Sequence, residues 1–166
     1  MKRFAAFVVS IVACTVAHGA DVIRHKIPNS DFPIAQAVEI PSGQSLVFLS
    51  GAGPDVADKT APKDSTSVFG DTKAQTISTF TKIDATLKSL NLSMKDVVKM
   101  QVFLVGDPSN GDKIDFAGFM DGYKKFFGTA EQPNLPSRSA FKVAGLAVPG
   151  WLIEVEVTAV RAETKK

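Results

Sequence analysis

The sequence predicts an α+β domain: a single mixed β-sheet with two helices on one face. Three observations lead there. The apolar patterning changes period in the order strands, helix, strand, helix, strands, which suits a sheet with its helices gathered on one side. Two segments carry apolar residues at three- and four-residue spacing, and no third is present to cover the sheet's other face. Residues 97–105 form a run that is apolar on both sides, as in strands covered on both faces.

Taken in order, residues 22–27 predict a short edge strand and residues 28–31 a turn. Residues 35–40 and 46–50 predict two strands, with Pro41-Ser42-Gly43-Gln44 as a hairpin loop between them. Residues 51–70 make a polar loop rich in Gly, Pro, Asp and Ser. Loops of that length usually carry function or are flexible. Ala74, Ile77, Phe80, Ile83, Leu87 and Leu90 then form one apolar stripe, predicting a helix over residues 72–90 with Asp71 as N-cap and Asn91 as its stop. After the run at 97–105, residues 106–113 are a turn-rich loop and residues 114–127 predict a second amphipathic helix, ended by Gly128. Residues 137–143 and 151–162 predict the last two strands, and residues 163–166 a frayed, disordered tail. No internal repeat or low-complexity stretch interrupts this order.

The strand faces sharpen the expectation. In the last strand Trp151, Ile153, Val155 and Val157 alternate with Leu152, Glu154, Glu156 and Thr158. The first set is assigned to the helices. The second places two acids on the face that no helix covers. An uncovered apolar face is rare on a soluble monomer, so another subunit is the expected cover.

The first twenty residues have a different character. Lys2 and Arg3 precede an apolar run over residues 4–16, followed by Ala17, His18, Gly19 and Ala20. This is the layout of a secretory signal peptide, and the run is shorter than the roughly 20 residues of a spanning helix. Residues 1–20 are therefore assigned to a signal peptide and residues 21–162 to the folded domain. The expected location is the periplasm or the exterior. The stretch Ile11-Val12-Ala13-Cys14 also resembles a lipobox, but it follows a short run for that class, and simple cleavage is preferred.

Removing Lys2 and Arg3 leaves 17 basic against 17 acidic residues. A neutral chain offers no electrostatic footprint for nucleic acid. Cleavage beyond Cys14 removes the single cysteine, and with it any thiol or disulfide chemistry. His25 is then the one remaining histidine and has no partners at metal-ligand spacing. No metal or cofactor is expected. No Ser-His-Asp arrangement can be read from the chain.

Several short segments, in this order and spacing, carry a resemblance that spans residues 33–160. They are Pro33-Ile34-Ala35-Gln36-Ala37-Val38, Phe48-Leu49-Ser50-Gly51, Asp96-Val97-Val98-Lys99 and Asp115-Phe116-Ala117. Tyr123-Lys124-Lys125-Phe126-Phe127, Pro136-Ser137-Arg138-Ser139 and Ile153-Glu154-Val155-Glu156-Val157 complete the set. With them the chain resembles the RidA family (reactive intermediate deaminase, YjgF-like, with an older label as endoribonuclease L-PSP). The resemblance implies a chorismate-mutase-like sheet and a trimeric assembly with clefts between subunits. It also implies hydrolysis of reactive enamine or imine intermediates, a 2-imino acid giving a 2-oxo acid and ammonia.

By the same resemblance Arg138 stands at the family's substrate-carboxylate position and Glu154 at the glutamate near its catalytic water. Arginine suits the first role because its planar fork grips a carboxylate through two hydrogen bonds and keeps its charge. A carboxyl group suits the second because it can orient water and pass protons to a leaving nitrogen. The competing readings are a structural arginine paired with an acid and a glutamate satisfied by interface hydrogen bonds. Ser50, Gly51 and the main chain at Ala140 match cleft-lining positions. Phe116 reads either as a cleft wall or as helix core, and Glu156 as structural.

Two substrate-binding positions depart from the pattern: Ile34 replaces a tyrosine and Met120 an asparagine. Each exchanges a hydrogen-bonding group for an apolar one. The alternative function is therefore a non-catalytic periplasmic trimer that binds small carboxylates or a protein partner. Ribonuclease activity is disfavoured by the neutral charge and the lack of a histidine pair.

The leader assignment predicts that intact-mass spectrometry of the exported protein finds a chain starting at Ala20 or Asp21. A membrane-bound chain starting at a lipid-bearing Cys14 contradicts simple cleavage.

Overall fold

The computed structural model describes residues 21–162. The leader and tail assignments lie outside these residues. Six strands and two α-helices follow in the order β1 (Ile23–Lys26), β2 (Ala35–Glu39), β3 (Gln44–Ala52), α1 (Thr72–Ser89), β4 (Val97–Leu104), α2 (Phe116–Tyr123), β5 (Ser137–Lys142) and β6 (Ile153–Ala162). They form one mixed sheet with strand order β1-β2-β5-β4-β6-β3. β5 runs parallel to β4 and to β2, whereas β6 is antiparallel to both β4 and β3. The predicted α+β architecture is the one observed. No helix among the described residues is long and apolar enough to cross a membrane.

Helix α1 starts where Asp71 accepts a hydrogen bond from the Ala74 amide at 2.7 Å, satisfying one of the orphan donors of the first turn. It ends before Asn91, whose φ of 56° stops the helix. Its buried face differs from the apolar stripe. Thr72, Gln75, Thr76, Thr79, Phe80, Ile83 and Leu87 are buried, while Ala74 and Leu90 are exposed and Ile77 is half-buried. The cause lies in what the first turns meet. Gln75 donates to the carbonyls of Gly70 and Gly150 at 2.9 and 3.0 Å and accepts from the Leu152 amide at 2.8 Å. A buried amide with such partners ties the helix start to the start of β6. A side chain on Gly122 of α2 would overlap Thr76, so the absence of a Cβ there lets the two helices approach closely.

Helix α2 is shorter than the predicted span, because Asp115 caps it at the Gly118 amide and residues 124–127 continue as looser turns. Both helices cover the same side of the sheet. Beneath them lie Met100, Val102 and Leu104 of β4 and Ile153, Val155, Val157 and Ala159 of β6, packed with Phe80, Ile83, Leu87, Phe119 and Tyr123. This is the face predicted for β6. On the other side no helix is present among the described residues. There Phe103 stacks on Phe141 at 6.2 Å, and Phe48 is 75% exposed.

The predicted hairpin between β2 and β3 does not form, since these strands lie four places apart in the sheet order. β2 instead pairs with β1 and touches β5 through the single pair Ala35–Ser137. The reason is a competing anchor. Arg24 of β1 donates to the carbonyls of Val97 and Leu135 at 3.0 and 2.8 Å and to that of Lys95 at 3.0 Å. These three carbonyls sit where β4 and β5 enter the sheet, so the β1–β2 ribbon is held at that end.

Two stability predictions result. Gln75→Leu leaves three buried or half-buried backbone groups unpaired and lowers the unfolding free energy by about 3 kcal/mol in urea melts, with Thr81→Ala on the exposed face within about 0.5 kcal/mol of wild type. Arg24→Ala releases the ribbon. Amide exchange speeds up across β1 and β2 while the β4 and β6 amides keep their protection.

Candidate functional site

Phe116, Phe119 and Tyr123 recur at helical spacing and present three rings on one side of α2. Their centroids are linked at 5.7 Å (Phe116–Phe119) and 5.8 Å (Phe119–Tyr123). The Tyr123 hydroxyl donates to the Pro33 carbonyl at 2.8 Å. That bond fastens the segment before β2 to the helix and brings Phe32 up as a fourth ring. Arg138, the second residue of β5, pairs in register with Met100 on the helix-covered face. Its guanidinium carbon lies 4.4 Å from the Tyr123 centroid, 4.9 Å from Phe119, 5.5 Å from Phe32 and 6.0 Å from Phe116.

A cation among aromatic faces is attracted by their quadrupoles, but rings accept no conventional hydrogen bonds from its edge. The Arg138 Nη1 is buried and has no hydrogen-bond partner, and no carboxylate pairs with Arg138 among the described residues. The structural reading of Arg138, which requires an acid, finds none. Burial holds the guanidinium below its ordinary pKa, with Tyr123 pulling the other way, yet an arginine keeps its proton in proteins. Burial pushes the Tyr123 phenol well above its usual range, so it stays neutral beside the cation. Phe32 and Phe116 remain 41% and 38% exposed, so this aromatic box reaches the surface.

Met120 is buried and lines a pocket of about 500 Å³ with Asp31, Phe32, Pro33, Lys124 and Phe127. Phe32 is thus shared between this pocket and the Arg138 box. Ile34 is half-buried, and its amide donates to the Phe32 carbonyl at 2.8 Å. Ala140 is exposed on β5. Beyond Ser137 the outer edge of β5 has no strand partner among the described residues, which leaves main-chain donors and acceptors there unpaired by the sheet. Arg138, Met120, Ile34 and Ala140 therefore lie around one edge of the sheet.

The remaining residues gather elsewhere. The β3–β6 register slips between Leu49 and Ala52, where three steps on β3 answer two on β6. This β-bulge holds Ser50 and Gly51, both exposed. A side chain on Gly51 would overlap the Glu154 carboxylate, so glycine leaves room for that group to lie over the bulge. Glu154 pairs in register with Phe103 on the open face. It makes no side-chain hydrogen bond or ion pair with the described residues. Beside it a depression of about 330 Å³ is lined by Phe48, Ser50, Lys99, Gln101, Glu156 and Thr158.

One chain therefore does not unite its two principal site residues. Arg138 is level with Met100 and Glu154 with Phe103, on opposite faces and with β4 between their strands. That separates them by about 10 Å along the sheet and about 10 Å across it.

Sequence reasoning passed over Phe32, Phe119 and Tyr123. The signal was the aromatic spacing within α2, which reads equally well as core. Only the position of Arg138 distinguishes the two readings.

The family model described as Endoribonuclease L-PSP matches residues 27–161. A RutC family protein of Haemophilus influenzae is 33% identical over 136 residues, covering 82% of this chain and 92% of the relative. Among solved structures, E. coli TdcF with bound serine is 29% identical at a TM-score of 0.55, covering 85% of this chain and 98% of that one. A YjgF family member from Neisseria meningitidis, 23% identical at a TM-score of 0.51, covers 89% of this chain and 100% of its own and shares the fold. The match over residues 27–161, joined to the six-stranded sheet with its two helices, places the chain in the RidA/YjgF/L-PSP family.

Proposed function

We propose that this chain is a RidA-like hydrolase of reactive enamine or imine intermediates, converting a 2-imino acid and water to a 2-oxo acid and ammonia. One observation carries the reading: among the described residues, Arg138 is a partly buried cation with an unpartnered Nη1 and no acid paired with it. An entering anion would satisfy that group. A small carboxylate fits, because it accepts two parallel hydrogen bonds from the guanidinium. The serine-bound relative supports the same chemistry, since serine carries a carboxylate next to an amine.

In this reading the substrate carboxylate rests on Arg138, and main-chain groups at Ala140 line the cleft. Glu154, over the Ser50–Gly51 bulge, orients a water molecule. The water oxygen bonds to the imine carbon while its proton passes to the carboxylate. The same carboxyl group returns that proton to nitrogen, giving a carbinolamine; it then takes the hydroxyl proton and passes it to nitrogen as well, so that the C–N bond breaks, the carbonyl forms and ammonia leaves. Arg138 and Glu154 act together when the β5 edge of one copy meets the open face of another. The open face, with Phe48 75% exposed, is the surface to be covered. The assembly in this reading is a homotrimer with its sites between subunits, exported to the periplasm or beyond.

The apolar residues Ile34 and Met120 favour a second reading, in which the cleft binds small carboxylates or a partner without turnover. Neither side chain has a group to hydrogen-bond a reacting nitrogen or water.

An assay that generates 2-iminobutyrate in situ separates the two. Hydrolysis above the spontaneous rate is expected. Arg138→Ala lowers kcat/KM on the order of a hundredfold or more, and Glu154→Gln lowers kcat with little change in KM. No acceleration by wild type, with carboxylate binding intact, supports the binding protein instead. Light scattering should return about three chain masses. A stable monomer at micromolar concentration contradicts the shared site.

A further inference from the structure

We infer that the site prefers carboxylates with a branched aliphatic or aromatic side chain over small or hydroxylated ones, an inference that rests on the carboxylate reading of Arg138. The guanidinium of the clamp lies against the rings of Phe32, Phe116, Phe119 and Tyr123. Phe32 and Phe116 flank Arg138 with rings 41% and 38% exposed. The one hydroxyl in the box, that of Tyr123, is committed to the Pro33 carbonyl at 2.8 Å. It therefore has no free proton to offer a ligand.

Beyond Phe32 the chain leaves a pocket of about 500 Å³, far more than a methyl group requires. Met120 and Phe127, both buried, line it together with Phe32 and Pro33. Asp31 and Lys124 complete the lining with opposite charges, which adds no net attraction for a second anionic group. Phe32 belongs both to the Arg138 box and to this pocket, so the inferred route for the side chain of a ligand held by Arg138 runs past Phe32 into this space. An apolar side chain gains by leaving water there. A hydroxyl meets no side-chain partner on Phe32, Pro33, Met120 or Phe127, and the polar side chains of the lining, Asp31 and Lys124, are both exposed to water.

Calorimetric titration of the assembled protein with three stable 2-oxo acids tests this. 4-Methyl-2-oxopentanoate is expected to bind at least about tenfold more tightly than pyruvate, given three added carbons. 3-Hydroxypyruvate is expected to bind no more tightly than pyruvate. Met120→Asn and Phe116→Ser should each narrow the gap between the branched acid and pyruvate, and the exposed position of Phe116 makes the second variant the safer one to fold. Pyruvate or hydroxypyruvate binding as tightly as the branched acid, with all binding lost in Arg138→Ala, overturns the specificity while leaving the clamp. No binding by any of the three, or binding that survives Arg138→Ala, overturns the clamp itself.

Discussion

Four strands side by side span about 19 Å, and two helices with their side chains cover about 20 Å. That near equality governs this molecule. The strands β5, β4, β6 and β3 form the body of the sheet, and α1 and α2 are just enough to shield one side of it. Met100, Val102, Leu104, Ile153 and Val155 are nearly inaccessible beneath them. The other side has no such shield among the described residues, and Phe48, Phe141 and Leu46 stand there 75%, 46% and 46% exposed. Burial of that surface by another copy removes the cost of leaving it in water. The same arrangement divides the proposed site, because Arg138 and Glu154 fall on opposite sides of one sheet.

The two halves differ in how they are held. Arg138 is set among rings rather than against an acid. A carboxylate partner would position it equally well but would neutralise the charge that the proposed ligand needs. Aromatic faces stabilise the cation, and its Nη1 has no hydrogen-bond partner among the described residues. Tyr123 is the centre of this device. It is fully buried, stacks on Phe127 at 4.9 Å and ties down Pro33 through its hydroxyl. At the other half, the bulge at Ser50–Gly51 bends β3 away from regular pairing, and a glycine under Glu154 gives that carboxylate its place. The first half is rigid through packing, the second through backbone geometry.

Much of this was legible in the chain. The alternation in residues 151–158 assigned Ile153, Val155 and Val157 to the core and Glu154 and Glu156 to the opposite face, as observed. Periodicity located α1 to within a residue but misjudged its buried face, because Gln75 and three threonines outrank Ala74 once their tertiary partners are known. The hairpin expected around Gly43 rested on turn chemistry alone. Arg24, more than seventy residues from its acceptors Lys95 and Val97, overrode it, and no local pattern carries such a contact. At the site, Arg138 and Glu154 could be named from short segments. Their placement on opposite faces required the register of β4 against both neighbours.

The proposed chemistry requires a site shared between copies. Co-expression of Arg138→Ala and Glu154→Gln chains tests this most directly, because each chain lacks the half that the other retains. In mixed trimers about a quarter of the interfaces join an intact Arg138 to an intact Glu154 on statistical assembly. Recovery of imine hydrolysis toward about a quarter of the wild-type rate, from two chains that are each nearly inactive alone, is the predicted result. Mixed trimers that remain as inactive as their parents contradict a site built from two subunits.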